Sequence, residues 1–299
     1  MDDIPALLTE FTQLKYPFIP TLKLFKELKE ERAERLNSSA NKLKARTLLF
    51  GTSSLSLGCS PLHYRYYCLC QLLHLYARKF PIAYEGLSNI PNDGKIIFVM
   101  KHRSFSDITL HGFGYAWASS GLHLDQTIDQ LKANIPLMKE ILNKGQSCRF
   151  VMKEDLLNLP IGFHLVMNGG IPVHQDLETK AKNQKDFDPK CPKVLKKRDA
   201  MSKWFSFKDS YKEVMNELKG GGAIMIYGEA TRVEGDQMGH LSEKFLSRLV
   251  RIPGAKIIPV GSRVENKKMI ISYGPQCEID DLRTQIATLS GIKESHFIS

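Results

Sequence analysis

Apolar positions follow two different rhythms along the chain. From Ile4 to about Lys79, Leu22, Phe25, Leu28 and Leu36 roughly keep helical spacing, Pro5 sits where a first turn tolerates it, and Pro17 and Pro20 divide two helices. The second of these helices carries a charged face, Lys26-Glu27, Glu30-Glu31-Arg32 and Glu34-Arg35, which reads as solvated surface. From Phe80 onward the apolar residues gather into short β-rich runs: Ile96-Ile97-Phe98-Val99, Arg149-Phe150-Val151-Met152, Ile171-Pro172-Val173, Ala223 to Tyr227, and Lys256 to Val260. Helical stretches lie between them, and Met269 to Tyr273 adds a candidate last strand. This alternation predicts an α/β fold, a layered mixed β-sheet flanked by helices, spanning 81–299 after an N-terminal helical segment at 1–80. Catalytic groups are expected at strand ends, where the loops begin.

Composition narrows the class. With 299 residues, 42% hydrophobic and 25% charged, the chain can bury a substantial core and has neither a disordered nor a fibrous signature. The formal charge of +10 calls for an acidic partner without choosing among nucleic acid, anionic lipid, phosphorylated metabolite and acidic carrier protein. The six cysteines lack the density and spacing of a disulfide scaffold, so a reducing compartment is expected. The start at Met1-Asp2-Asp3 is unlike a signal peptide. The charge-free run from Thr47 to Tyr64 is diluted by Thr52, Ser53, Ser54, Gly58 and Pro61, and reads as buried or interfacial rather than spanning.

Between Leu177 and Lys208 the chain is polar and basic, with Lys180, Lys182, Lys185, Lys190, Lys193, Lys196, Lys197, Arg198 and Lys203 ahead of Trp204, Phe205 and Phe207. An exposed loop is expected here, either a simple solvated insertion or a patch for anionic headgroups or an acidic carrier.

The candidate chemistry starts at Lys101-His102-Arg103-Ser104-Phe105-Ser106-Asp107, directly after the run Ile96 to Val99 and before the apolar segment Ile108 to Trp117. A histidine leaving a strand end can act as general base. An aspartate five residues on can return to its other ring nitrogen, fixing the tautomer and stabilising imidazolium, which activates an alcohol. Ser104 with Asp107 also reads as a helix capping box, and the two roles are compatible.

This His-x4-Asp pattern resembles the glycerol-3-phosphate and 1-acylglycerol-3-phosphate acyltransferases. Their second block is similar to Lys153-Glu154-Asp155-Leu156, then Pro160-Ile161-Gly162, then Gly169-Gly170-Ile171-Pro172-Val173. Their third resembles Tyr227-Gly228-Glu229-Ala230-Thr231-Arg232, and their fourth Ile257-Ile258-Pro259-Val260-Gly261. Four blocks in order between Lys101 and Gly261 are far more specific than any one alone. There are departures: Gln175 stands where the second block usually carries an arginine, Gly228 where a proline is usual, Ala230 where a glycine is usual, and Lys101 where an asparagine is common.

The resemblance implies an O-acyltransferase of phospholipid biosynthesis, with acyl-CoA or acyl carrier protein as the thioester donor and a glycerolipid as acceptor. His102 would be the general base, oriented by Asp107. Substrate would be bound by Lys153, Gly170, Glu229, Thr231 and Arg232, with Arg232 suited to a phosphate through its planar fork of donors and Glu229 to acceptor hydroxyls or to holding Arg232. Gln175 leaves the acceptor's phosphate to another cation such as Lys153 or Arg232. The enzyme is expected to sit peripherally on the cytoplasmic side of an anionic membrane surface.

Two alternatives stay open: an acyltransferase for another lysolipid or aminolipid, and a non-enzymatic basic protein of the same fold that binds membranes or nucleic acid. No nucleic-acid module is readable, so no nucleic acid is expected as a partner. His63, His74, His111, His123 and His164 lack metal-ligand spacing, so no metal and no cofactor are expected. Gly220-Gly221-Gly222 precedes a strand rather than opening a helix, unlike a phosphate loop, and no Gly-x-Ser-x-Gly elbow supplies a serine nucleophile.

Overall fold

The computed structural model describes residues 82–101, 106–122, 135–153, 169–202, 207–229, 231, 233, 236–266 and 268–298. The expected helical segment 1–80 and the run Thr47 to Tyr64 lie outside the described residues. Among the described residues, no helix is long and apolar enough to cross a membrane.

Seven strands form one sheet. In chain order they are β1 (Ile82–Glu85), β2 (Ile96–Met100), β3 (Cys148–Lys153), β4 (Gly170–Val173), β5 (Ala223–Tyr227), β6 (Lys256–Glu265) and β7 (Lys268–Tyr273). Across the sheet the order is β1-β7-β6-β2-β5-β3-β4. Every pairing is parallel except β6 with β7, so the sheet is mixed, as its sequence pattern indicates. β2 is buried at all five positions, the signature of a parallel strand covered on both faces.

Pro259 lies inside β6, where a missing N–H would ordinarily break a ladder. Its carbonyl accepts from the Gly274 N–H at 2.9 Å. Because the N–H and C=O of one strand residue point to the same side, the missing donor faces β7, whose pairing begins only at Val260. The parallel bonds to β2 are untouched.

Helices cover both faces. On one, α1 (Ser106–Ser119) and α2 (Ile135–Lys144) pack together. Phe98 meets His111 and Tyr115 of α1 with ring centroids at 4.5 and 5.3 Å. A side chain on Gly145, after α2, would run into the backbone of Ala116, so this position holds the two helices at close approach. On the other face, Ile97, Val99, Ile224 and Ile226 join one apolar cluster with Val214 and Leu218 of α5 (Phe207–Lys219), Leu246 and Leu249 of α6 (Glu243–Leu249), and Leu282 and Ile286 of α7 (Ile279–Leu289). The paired residues stand four or three apart, the spacing of one helix face. Burying each such side chain contributes about 1.5–3 kcal/mol.

The basic stretch corrects one expectation. It is no exposed loop: α3 (Leu177–Asn183) and α4 (Pro192–Ser202) occupy most of it, and α5 follows. Asp176 caps α3 by accepting from the Thr179 N–H. At the other end of α3, the Asn183 side chain donates to the carbonyls of Glu229 and His240 at 2.9 Å each, binding the segment to the chain that leaves β5.

Candidate active site

Register alone gathers the four sequence blocks. Met100, which ends β2, pairs with Tyr227 at the end of β5 and with Val260 of β6, and Lys153 at the end of β3 pairs with Val173 at the end of β4. All these strands run parallel, so the first, second and third blocks leave the sheet at one carboxyl edge. From β2 the chain passes to α1 on one face. From β5 it passes to Leu241 and α6 in the cluster on the other. A crevice outside adjacent strands whose connections part in this way is the usual ligand position in an open α/β sheet. His102 and Arg232 lie outside the described residues. Asp107 is the second residue of α1, and its side chain likewise lies outside them.

Behind this edge sits a buried ion pair. Lys101 is 1% exposed and Glu229 is 0% exposed, with Nζ of Lys101 3.4 Å from Oε1 of Glu229. The ammonium also donates to the carbonyls of Gln237 at 2.7 Å and Val233 at 3.4 Å. The Gly239 N–H donates to the same Glu229 oxygen at 2.7 Å. Two charges taken out of water are tolerated only when each offsets the other and hydrogen bonds complete their shells. The pair thus ties the residue before His102 to the third block.

In front of the edge opens a cavity of about 640 Å³. Its walls are mainly apolar, with Ile108 of α1, Phe150 and Met152 of β3, Val173 of β4, Ile226 of β5 and Phe245 of α6. Lys153, Arg198, Lys244 and Arg248 bring positive charge to it, and Asp176 and Glu178 negative charge. Of the expected substrate residues, Lys153 and Thr231 line this space, and Thr231 Oγ1 accepts from Gln184 Nε2 at 3.2 Å. Gln175 also lines it. Gly170 is buried in β4 opposite Phe150, and Glu229 is engaged in the ion pair behind the wall.

Asp176 is committed to architecture. Its Oδ1 accepts from the Thr179 N–H at 3.1 Å, and its Oδ2 from the hydroxyls of Thr179 at 2.9 Å and Ser242 at 2.6 Å. Partial burial pushes its pKa up, but the hydrogen bonds from Ser242 and Thr179 outweigh that and hold the carboxyl below its ordinary value.

No family model matches the chain, and no curated protein matches it. Among solved structures it is similar to the 1-acyl-sn-glycerophosphate (LPA) acyltransferase PlsC from Thermotoga maritima, with 15% identity and a TM-score of 0.42 over 84% of this chain and 93% of that one.

The geometry adds residues that the sequence reading did not single out for the site. Arg198 of α4 and Lys244 and Arg248 of α6 stand outside all four blocks, so no motif could flag them, although Arg198 was noted within the basic run. Asn183 is 8% exposed, and its Oδ1 accepts from the His240 N–H at 2.6 Å in addition to its two donated bonds, bracing the third block. A lone asparagine in a lysine-rich stretch gave no signal. Gly228 has a local reason: its N–H donates to the Met100 carbonyl at 3.2 Å, a bond that proline could not make. An added Cβ there would also meet Leu241 at 2.8 Å and Val99 at 2.9 Å.

Proposed function

We propose that the chain is an O-acyltransferase that moves a fatty acyl group from a thioester, acyl-CoA or acyl carrier protein, to a hydroxyl of glycerol-3-phosphate or a 1-acylglycerol-3-phosphate. The observation that carries this is the cavity at the carboxyl edge. It is apolar along its walls, carries cations, and is lined by Lys153 of the second block, Tyr227 and Thr231 of the third, and Ile108, the residue after Asp107. An apolar chain with a polar, anionic end is the chemistry such a space accepts.

In the proposed reaction His102 takes the proton of the acceptor hydroxyl as that oxygen attacks the thioester carbonyl, and Asp107 stabilises the imidazolium that results. The tetrahedral intermediate collapses with loss of the sulfur, which leaves as the thiol with the proton from His102. One C–O bond forms, one C–S bond breaks, and no acyl-enzyme is needed. Lys153, Thr231 and Arg232 hold substrate. Glu229, with no exposed surface, supports them through Lys101. The acylated product partitions into lipid, so the enzyme works peripherally at an anionic membrane surface.

The test is thioester-dependent thiol release with glycerol-3-phosphate and with lysophosphatidic acid, for the native protein and for His102→Ala. Acceptor-dependent turnover that drops at least about a hundredfold in the variant is expected. Equal release by both proteins would remove His102 as the base. No release with any acceptor would sink the reading.

A further inference from the structure

We infer that Arg198, Lys244 and Arg248 form a phosphate-reading rim, the site for the anionic head of an amphiphile whose chain occupies the apolar cavity. The three cations reach the cavity from two helices, α4 and α6, neither of which belongs to the sequence blocks. Arg198 and Lys244 are exposed and form no hydrogen bond or ion pair with any described residue. Of the two carboxylates that line the cavity among the described residues, Asp176 is occupied by Thr179 and Ser242. Gln175 brings no charge, so among the described residues the cations outnumber the anions around a mainly apolar space.

That combination selects a ligand class. An apolar wall accepts an alkyl chain but gains nothing from a charged end. A group of guanidinium and ammonium donors at its margin recognises a phosphate, with arginine favouring paired contacts to two phosphate oxygens. A neutral lipid of the same chain length would fill the wall and leave the cations unused. Two phosphate sources fit, the phosphate monoester of an acylated glycerol and the phosphates of a coenzyme A thioester. The inference rests on the acyl-transfer reading only for what happens to the bound molecule afterwards.

The experiment is equilibrium binding by calorimetry, below the micelle threshold, of lysophosphatidic acid and of monoacylglycerol with the same chain, to the native protein and to Arg198→Gln/Lys244→Gln. The native protein should bind the phosphorylated lipid more tightly. The double variant should lose roughly tenfold or more of that affinity while binding monoacylglycerol unchanged, which also shows its fold and cavity to be intact. Adding Arg248→Gln should remove the remaining preference. Competition by coenzyme A without an acyl chain identifies the source: displacement of the phosphorylated lipid from the native protein assigns the rim to donor phosphates, and no displacement assigns it to the acceptor. A phosphate preference undiminished in the double variant, or equal binding of both lipids by the native protein, overturns the inference. Preserved phosphate preference without thiol release would leave the rim standing and remove only the acyl-transfer reading.

Discussion

Replacing Glu229 by glutamine separates two roles that a third-block carboxylate can have. Glutamine keeps the size of the side chain and an oxygen to accept from the Gly239 N–H, so the change isolates the charge. What it leaves is Lys101, 1% exposed, with its ammonium facing a neutral amide and two backbone carbonyls. At the observed 3.4 Å, the Coulomb attraction with an effective dielectric constant of 20 is about 5 kcal/mol. Removing one partner of a buried pair typically costs about 3–5 kcal/mol, because the other charge stays behind without compensation. For a folded unit of this size that corresponds to a fall in Tm of roughly 10 °C. The assay is thermal or urea unfolding of Glu229→Gln beside Lys101→Met/Glu229→Leu. The double replacement should recover much of the loss, since apolar groups of similar volume often match a buried pair. If Glu229→Gln unfolds like the native protein while its kcat/KM for acyl transfer falls, the carboxylate acts on substrate and the structural assignment is wrong.

Two further predictions concern pH. Burial between Phe98 and Tyr273 pushes the pKa of His111 down to about 3 from an ordinary 6.5, and no described residue bonds either ring nitrogen. The unfolded chain therefore takes up a proton between those two values that the folded chain refuses, and stability falls as pH falls through that window. Relative to His111→Leu, the native protein should lose about 3 kcal/mol between pH 7 and pH 4, and a pH-independent difference in urea unfolding would refute this. Asp176→Ala removes the cap of α3 and the acceptor for Ser242, so it should cost about 1–2 kcal/mol at pH 7. Because the folded pKa of Asp176 lies below the ordinary 3.8, its contribution is present above that value and disappears as pH falls through the lowered one. The deficit of Asp176→Ala should shrink in acid, as unfolding at pH 7 and pH 3 would reveal.

The sheet was legible because its signal is local. Runs such as Ile96 to Met100, between Lys95 and Lys101, and Ala223 to Tyr227, between Gly222 and Gly228, are continuous apolar stretches of strand length, the pattern of a parallel strand buried on both faces. The basic stretch misled for an equally physical reason. Lysines suggested solvation, yet lysine, leucine, alanine and glutamate are strong helix formers, and the decisive contacts of Asn183 are to residues 46 and 57 positions away. No window of sequence contains them. Lys244 and Arg248 were invisible in the same way, and Arg198 stood out only as one charge of the basic run, since α4 and α6 meet at the cavity only after the sheet has placed them.

Lys101 shows how a departure from a pattern acquires meaning from the fold. In sequence it is a lysine at a position where an asparagine is common. In three dimensions it continues the inward alternation of Ile97 and Val99 toward the face that holds Glu229. A charge there is costly unless something answers it, and the third block supplies the answer. The substitution and the carboxylate must therefore be read together: Glu229 balances Lys101 and does not line the cavity. Among the described residues, Lys153, Arg198, Lys244 and Arg248 are the cations that line the cavity. Swapping Lys101 for asparagine without altering Glu229 would take away the ammonium 3.4 Å from a buried carboxylate, so a stable exchange at one position is expected to need a change at the other.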